Sequence, residues 1–118
     1  MSKEFIPYEQ ALELRELGFN ELCLFYYTDN ESLRIYHQSE IYDDLVGAPL
    51  YQQAFRWFRE THKWNHSVST KRFPNVEYGY ILGAMEGESS VWNINEFSTY
   101  EEAELACLKK LIEIAKQK

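Results

Sequence analysis

Residues 49–63, PLYQQAFRWFRETHK, leave fewer choices of structure than any other stretch of the chain. When successive residues are placed 100° apart, as on an α-helix, the aromatic and the polar side chains separate completely. One arc contains Leu50, Tyr51, Ala54, Phe55, Trp57, Phe58, Thr61 and His62. The other arc contains Gln52, Gln53, Arg56, Arg59, Glu60 and Lys63. The pattern predicts an amphipathic helix, opened by Pro49, whose aromatic face builds a core and whose arginines face water.

Two further helices are predicted near the ends of the chain. The first runs from about Pro7 to Leu17, with Gly18 in the left-handed conformation just past its end. The last begins at Ser98, because Ser98 and Glu101 match the S-x-x-E capping box. Its broad apolar face consists of Tyr100, Ala103, Cys107, Leu108, Leu111, Ile112, Ile114 and Ala115. This face is wide enough to be buried on both flanks or to meet a second copy of the protein.

Five strands are predicted between these helices. The stretch LCLFYYTDNESLRIYH indicates a hairpin with a polar turn at Thr28 to Ser32, and QSEIYDDLVG indicates a loop. Residues 66–72, 77–85 and 90–97 alternate as strands do, and the last two form a second hairpin. The order is α-β-β-α-β-β-β-α. Hairpins rather than βαβ crossovers predict an α+β fold: a mostly antiparallel sheet of about five strands with three helices, in a single domain of residues 1–118.

The charge of the chain is unevenly distributed. The formal net charge of −7 argues against general nucleic-acid binding through phosphate neutralisation. Between Arg56 and Arg72, however, five basic residues and one acidic residue give +4, while the rest of the chain has 7 basic and 18 acidic residues, or −11. One basic segment therefore lies against an acidic background.

The cysteines and the apolar runs exclude several classes of protein. Cys23 and Cys107 fall within apolar patterns without metal-ligand spacing, which predicts small, buried, reduced thiols. No apolar run approaches the roughly 20 residues that span a bilayer, and the start lacks the apolar stretch of a secretory signal. We therefore expect a cytoplasmic protein without membrane partners.

The basic segment is the one constellation that suggests a ligand. Arg56, Arg59 and Lys63 could join Lys71 and Arg72, which follow the hydroxyl-rich SVST, in binding an anion. Trp64 could stack on a base. These six residues give the hypothesis of a phosphorylated small ligand, such as a nucleotide signal; the alternative is a solvated surface above an aromatic core.

Other candidate chemistry is weaker. His62 and His66 have the i,i+4 spacing of a zinc pair but lack a third ligand, and His37 stands alone. Two acidic pairs, Asp43 with Asp44 and Asp29 with Glu31, lie in predicted loops, where carboxylates are usually solvated. No GxGxxG, Walker, G-x-S-x-G or H-E-x-x-H pattern occurs. We expect no metal, no cofactor and no catalytic residue.

Three segments carry a family resemblance: FIPYEQALELRELGF, PLYQQAFRWFRE and TYEEAELACLKKLIEI. They resemble a group of small uncharacterised proteins encoded by gut bacteria of the Bacteroides group and by their phages and prophages. The resemblance covers the helical segments and leaves the strands unmatched. It implies a context, that of a mobile-element accessory protein acting on a host system, and no functional residues, since the family lacks an assigned activity.

The sequence thus leaves three classes of function. The first is a non-enzymatic module that pairs with itself or with a host protein, because an acidic, tyrosine-rich body can cover a basic surface. The second is a protein that binds or sequesters a phosphorylated small molecule through the basic segment. An enzyme comes last.

Overall fold

The computed structural model describes residues 4–21, 23, 25–27, 33–35, 46–72, 74–84 and 91–117. Its elements follow in the order α1 (Tyr8–Glu16), β1 (Phe25–Tyr27), β2 (Leu33–Ile35), β3 (Val46–Ala48), α2 (Tyr51–Trp57), a π-helical turn (Phe58–His62), β4 (Trp64–Lys71), β5 (Glu77–Ala84), β6 (Val91–Phe97) and α3 (Tyr100–Lys116). Contacts divide the chain into two compact units, Met1–Tyr51 and Gln52–Lys118. The division falls inside α2, after its first residue.

The first unit is built on a three-stranded antiparallel sheet in the order β2-β1-β3. The helix α1 packs against β3. Tyr27 of the central strand β1 holds the segment that precedes α1, because its hydroxyl donates a buried hydrogen bond of 2.6 Å to the carbonyl oxygen of Ile6. The same ring meets Tyr8 edge to face, with the ring centroids 5.6 Å apart. Hydrogen bonding and aromatic packing therefore fix the start of α1 on the sheet.

The end of α1 has the geometry that the sequence predicts. Gly18 has a φ of 103°, in the left-handed region that favours glycine. Its N–H donates to the carbonyl oxygen of Arg15 at 3.1 Å, and the N–H of Phe19 donates to that of Leu14 at 2.9 Å. These are the two bonds of a Schellman ending. The prediction of a left-handed Gly18 is confirmed.

The second unit is built on a longer antiparallel sheet in the order β4-β5-β6. α3 packs against all three strands and covers one face of this sheet. Along β5 the side chains alternate accordingly, since Tyr80 and Leu82 are buried whereas Ile81 between them is exposed. The register between β5 and β6 shifts at Tyr78 and Gly79, which makes Glu96 the extra residue of a bulge.

The segment from α2 through the π-helical turn follows the predicted separation of side chains with two exceptions. The aromatic residues Tyr51, Phe55, Trp57 and Phe58 are buried, and the arginines are exposed. Leu50 is exposed because it precedes the helix and instead forms a β-bridge with Phe5. Thr61 is exposed because it lies in the π-helical turn, where each residue advances by less than 100°. The aromatic face is thus confirmed as core.

The predicted cap of α3 is wrong by one residue. The helix begins at Tyr100, and its N-cap is Thr99, whose hydroxyl oxygen accepts a hydrogen bond of 3.1 Å from the N–H of Glu102. Ser98 and Thr99 each stand three residues before a glutamate, so the sequence offers two overlapping capping boxes. The later one is used because β6 continues to Phe97, which pairs with Tyr78.

Replacing Thr99 with alanine should destabilise the protein by about 1 kcal/mol, since the N–H of Glu102 loses its acceptor at the start of α3. Urea denaturation followed by tryptophan fluorescence measures the change. Ser98→Ala is the matched control and should alter the unfolding midpoint far less. An equal loss in both variants would contradict the assignment of the cap.

The α+β class and the predicted order of helices and strands are confirmed, and every strand pairing among the described residues is antiparallel. The structure adds one short strand, β3, within the stretch predicted as a loop. It also distributes the strands over two sheets of three strands each. The predicted turn at Thr28 to Ser32 lies outside the described residues. The single domain of residues 1–118 stays a prediction.

Candidate functional site

The side chains of β4 alternate between the two faces of the second unit's sheet. Its eight residues pair with β5 in unbroken register, so its side chains alternate strictly between the faces. The covered face, beneath the helices, receives Trp64, His66, Val68 and Thr70. The open face receives Asn65, Ser67, Ser69 and Lys71. The predicted ligand-binding residues lie on this strand or next to it. Because of the alternation, Trp64 and Lys71 lie on opposite faces of the sheet.

A helical basic group, defined as Arg56, Arg59 and Lys63, precedes β4. All three residues are exposed. Lys63 ends the π-helical turn in the left-handed conformation, with a φ of 59°, and its N–H donates to the carbonyl oxygen of Phe58. The chain passes from this ending directly into β4, so Lys63 immediately precedes Trp64, the first residue of the strand.

A strand-end basic group, defined as Lys71 and Arg72, lies at the other end of β4. Both residues are exposed, and Glu77 of β5 lies opposite Lys71 in the register. Because a strand advances roughly 3.3 Å per residue, the eight steps from Lys63 to Lys71 span about 26 Å. Lys63 and Lys71 therefore lie at opposite ends of the strand. A mononucleotide is too short to contact both of these lysines at once. The hypothesis of a phosphorylated ligand bound by the six residues stays a prediction.

Trp64 is buried, with 8% of its surface exposed, on the covered face of the sheet. A base could stack on its indole ring only if that ring left its position in the core. The alternation of Trp64, His66 and Val68 is the sequence signal that points to this burial. Predicting the strand from residue 66 hides the signal, because β4 begins two residues earlier.

The two histidines that suggest a zinc pair lie among aromatic rings. The ring of His66 stacks on that of Phe55, with centroids 3.8 Å apart and an angle of 13°. Burial, and to a smaller extent the nearby charge of Arg59, lower the pKa of His66. The ring of His62 meets that of Trp57 edge to face, with the ring centroids 4.9 Å apart. In the part of the chain that the structure describes, no three His, Cys, Asp or Glu residues cluster as metal ligands would.

The two thiols are buried, as predicted. Burial, and less strongly the charge of Glu21, raise the pKa of Cys23 to about 11, and burial with a smaller effect of Glu104 raises that of Cys107 to about 12. Both cysteines are therefore protonated at neutral pH, whereas a nucleophilic cysteine must be a thiolate. The acidic pairs Asp29 with Glu31 and Asp43 with Asp44, like His37, lie outside the described residues.

The net negative charge belongs to the first unit, a division that sequence reasoning missed. Residues 1–51 contain three basic and ten acidic residues, whereas residues 52–118 contain nine of each. The first unit therefore carries the entire net charge of −7. On α1, Glu9, Glu13 and Glu16 fall within roughly 60° of one another on the helical wheel, away from the buried Leu14. The helical spacing of these glutamates is visible in the sequence.

The open face of the second sheet is polar. Ser69 and Asn95 flank Gly79 in neighbouring strands, and the Ser69 hydroxyl donates to Asn95 Oδ1 at 3.3 Å above the glycine. Ile81 is a large apolar side chain on this face, with 38% of its surface exposed. Hydroxyl and amide groups of this kind form hydrogen bonds readily and carry no charge of their own.

The three segments that carry the family resemblance form α1, α2 with its π-helical turn, and α3. They are the elements whose apolar faces build the two cores, so a likeness in them concerns the fold. No helix among the described residues is long and apolar enough to cross a bilayer. Comparison with protein-family models, with curated proteins and with solved structures finds no match for this chain.

Proposed function

We propose that this chain is a non-enzymatic protein-interaction module that recognises its partner through charge. The observation that carries the proposal is the segregation of charge. The first unit holds the whole net charge of −7, and five of the nine basic residues of the second unit stand exposed on β4 or in the segments next to it. Complementary charged surfaces increase the rate of association and exclude partners of the wrong sign.

The reactive side chains of the described residues support the non-enzymatic part of the proposal. Both cysteines are kept protonated by burial, and the His66 ring lies flat against Phe55. The aromatic residues of α2 stabilise the core instead of lining a cleft. The exposed side chains of β4 are those of Asn65, Ser67, Thr70 and Lys71, which are polar or charged as in the rim of a protein interface.

The family resemblance supplies the context. A small accessory protein of a phage or prophage acts on proteins of its host, and binding one of them requires no catalytic group. The proposed partner is accordingly a host protein, and a second copy of the chain is the alternative partner. The two differ in mass, which separates them experimentally.

Immobilised protein should capture a distinct partner from a lysate of Bacteroides-group bacteria at low salt and release it at high salt, because exposed charge pairs are screened. A variant with Arg56, Arg59 and Lys63 changed to glutamate should lose that partner if it is acidic, and E9K/E13K/E16K should lose it if it is basic. The purified partner must then bind again. Capture of the same proteins by the wild type and by both variants would contradict the proposal.

Binding of a second copy of the chain would be detected by light scattering, which measures the mass of the complex. Self-association predicts a mass that falls toward that of one chain on dilution and at high salt.

A further inference from the structure

The edge of β4 that faces away from β5 is the longest border of a sheet with uniform register among the described strands. Strand order places β4 at the border of its sheet, and none of the described strands pairs with its outer side. In an antiparallel pair every second residue of an edge strand turns its N–H and its C=O outward. Such an edge can accept a further strand.

Proteins usually block long edges with prolines, bulges or covering elements. β4 has none of the first two, since WNHSVSTK contains no proline and its eight residues pair with β5 without a register shift. At the opposite border of the sheet, the bulge at Glu96 interrupts β6. Asn65, Ser67 and Thr70 of β4 are exposed. The β4 edge is therefore regular along its whole length, whereas the β6 edge is distorted.

The basic residues at the two ends of the β4 edge favour an incoming strand with negative charge. Lys63 stands at one end, and Lys71 with Arg72 stands at the other, where Glu77 offsets one of these charges. From Thr61 to Val76 the chain contains no acidic residue. A strand that pairs with all of β4 would extend about 23 Å, close to the roughly 26 Å between Lys63 and Lys71.

A second copy of β4 is a poor occupant of this edge. In an antiparallel pair of two β4 strands, Lys63 of each copy would approach Lys71 and Arg72 of the other. In a parallel pair, each lysine would meet its own equivalent. Like charges that face one another across strands are destabilising, so both arrangements are disfavoured.

We propose that the β4 edge binds an extended acidic segment of a partner protein by strand addition, with acidic residues at both ends of that segment. Backbone hydrogen bonds supply affinity in this mode, and the flanking charges supply selectivity. The inference rests on the proposed interaction function and names the surface and the chemistry of the partner.

The test uses fluorescein-labelled peptides and the full chain. EETVTVTEE should bind, and its fluorescence anisotropy should rise on titration with protein. KKTVTVTKK should not bind, because its charges are reversed. EEPPPPPEE keeps the charges of the first peptide but lacks amide hydrogens at five consecutive positions, so neither of its edges can donate to β4 there. It should bind at least about tenfold more weakly.

Variants of the protein locate the site. Reversing the charges at the ends of the edge, in K63E/K71E/R72E, should weaken binding of EETVTVTEE by about tenfold or more. K109E is the matched control, because Lys109 is an exposed lysine of α3, and it should bind as the wild type does. Circular dichroism must show both variants folded; K71E and R72E as single variants serve if the triple variant is not.

Three results would overturn the inference. They are absence of binding by EETVTVTEE, equal binding of EETVTVTEE and EEPPPPPEE, and tighter binding of oligothymidine that is lost in K63E/K71E/R72E. The last would assign the edge to single-stranded nucleic acid. If the peptides fail while salt-sensitive capture of a host protein persists, the interaction function stands and acts through another surface.

Discussion

Gly79→Ala should destabilise the second unit by about 3 kcal/mol, as overpacking against a fixed backbone does. A β-carbon at this position would overlap the carbonyl oxygen of Ile94 and come within 2.7 Å of the α-carbon of Asn95. These are backbone atoms of β6, at the bulge, and they cannot rotate away as a side chain would. The variant must therefore shift β6 or break its pairing with β5.

Gly83→Ala is the control, because it places a methyl group on the same strand with no atom within 4 Å. Its stability should differ from that of the wild type by less than about 1 kcal/mol. All three tryptophans lie in the second unit, so tryptophan fluorescence during urea denaturation reports on this sheet. Similar midpoints for both variants would show that β6 does not approach Gly79 as described.

Phe58→Ala should cost about 3–5 kcal/mol, the range for removing a fully buried aromatic ring. The side chain is 1% exposed and packs edge to face with Trp57, with ring centroids 5.0 Å apart. It is also the first residue of the π-helical turn, so the cavity would lie where the helix changes its pitch. The loss should appear as a lower urea midpoint with an unchanged slope.

Its neighbour Arg59 provides the comparison. Arg59→Ala should change stability by no more than about 0.5 kcal/mol, since the side chain is exposed on the other side of the helix. The adjacent pair thus tests the separation of core and solvent faces. If Arg59→Ala destabilised as strongly as Phe58→Ala, the arginine would belong to a buried network and the proposed surface would not exist.

Local features of the sequence predicted much of the fold. The 3.6-residue period of residues 51–58, the glycine after α1 and the alternation of β5 depend on neighbours along the chain, and each appears where predicted. β3 escaped prediction because Val46–Ala48 is only three residues long, contains Gly47 and becomes a strand through pairing with β1. Strand pairing between distant segments also determines that there are two sheets, and no local pattern encodes it.

The candidate site was harder to predict than the fold. Lys63 and Lys71 are close in the sequence, but an intervening strand holds them about 26 Å apart. Alternation along β4 is a second separation, because Lys71 lies on the open face whereas His66, whose pKa is lowered by burial and less strongly by the charge of Arg59, lies on the covered face. Nearness in the sequence becomes nearness in space along a helix or a turn, and β4 is neither. Charge segregation between the units likewise became visible only once the boundary at Tyr51 was known.

Amide chemical shifts test most directly whether an acidic strand binds at the β4 edge. During titration of 15N-labelled protein with EETVTVTEE, shifts should concentrate between Lys63 and Arg72. The amides around Lys109 on α3 should stay in place. Shifts centred on Arg56 and Arg59, shifts spread over the whole protein, or none at saturating peptide would contradict strand addition at β4.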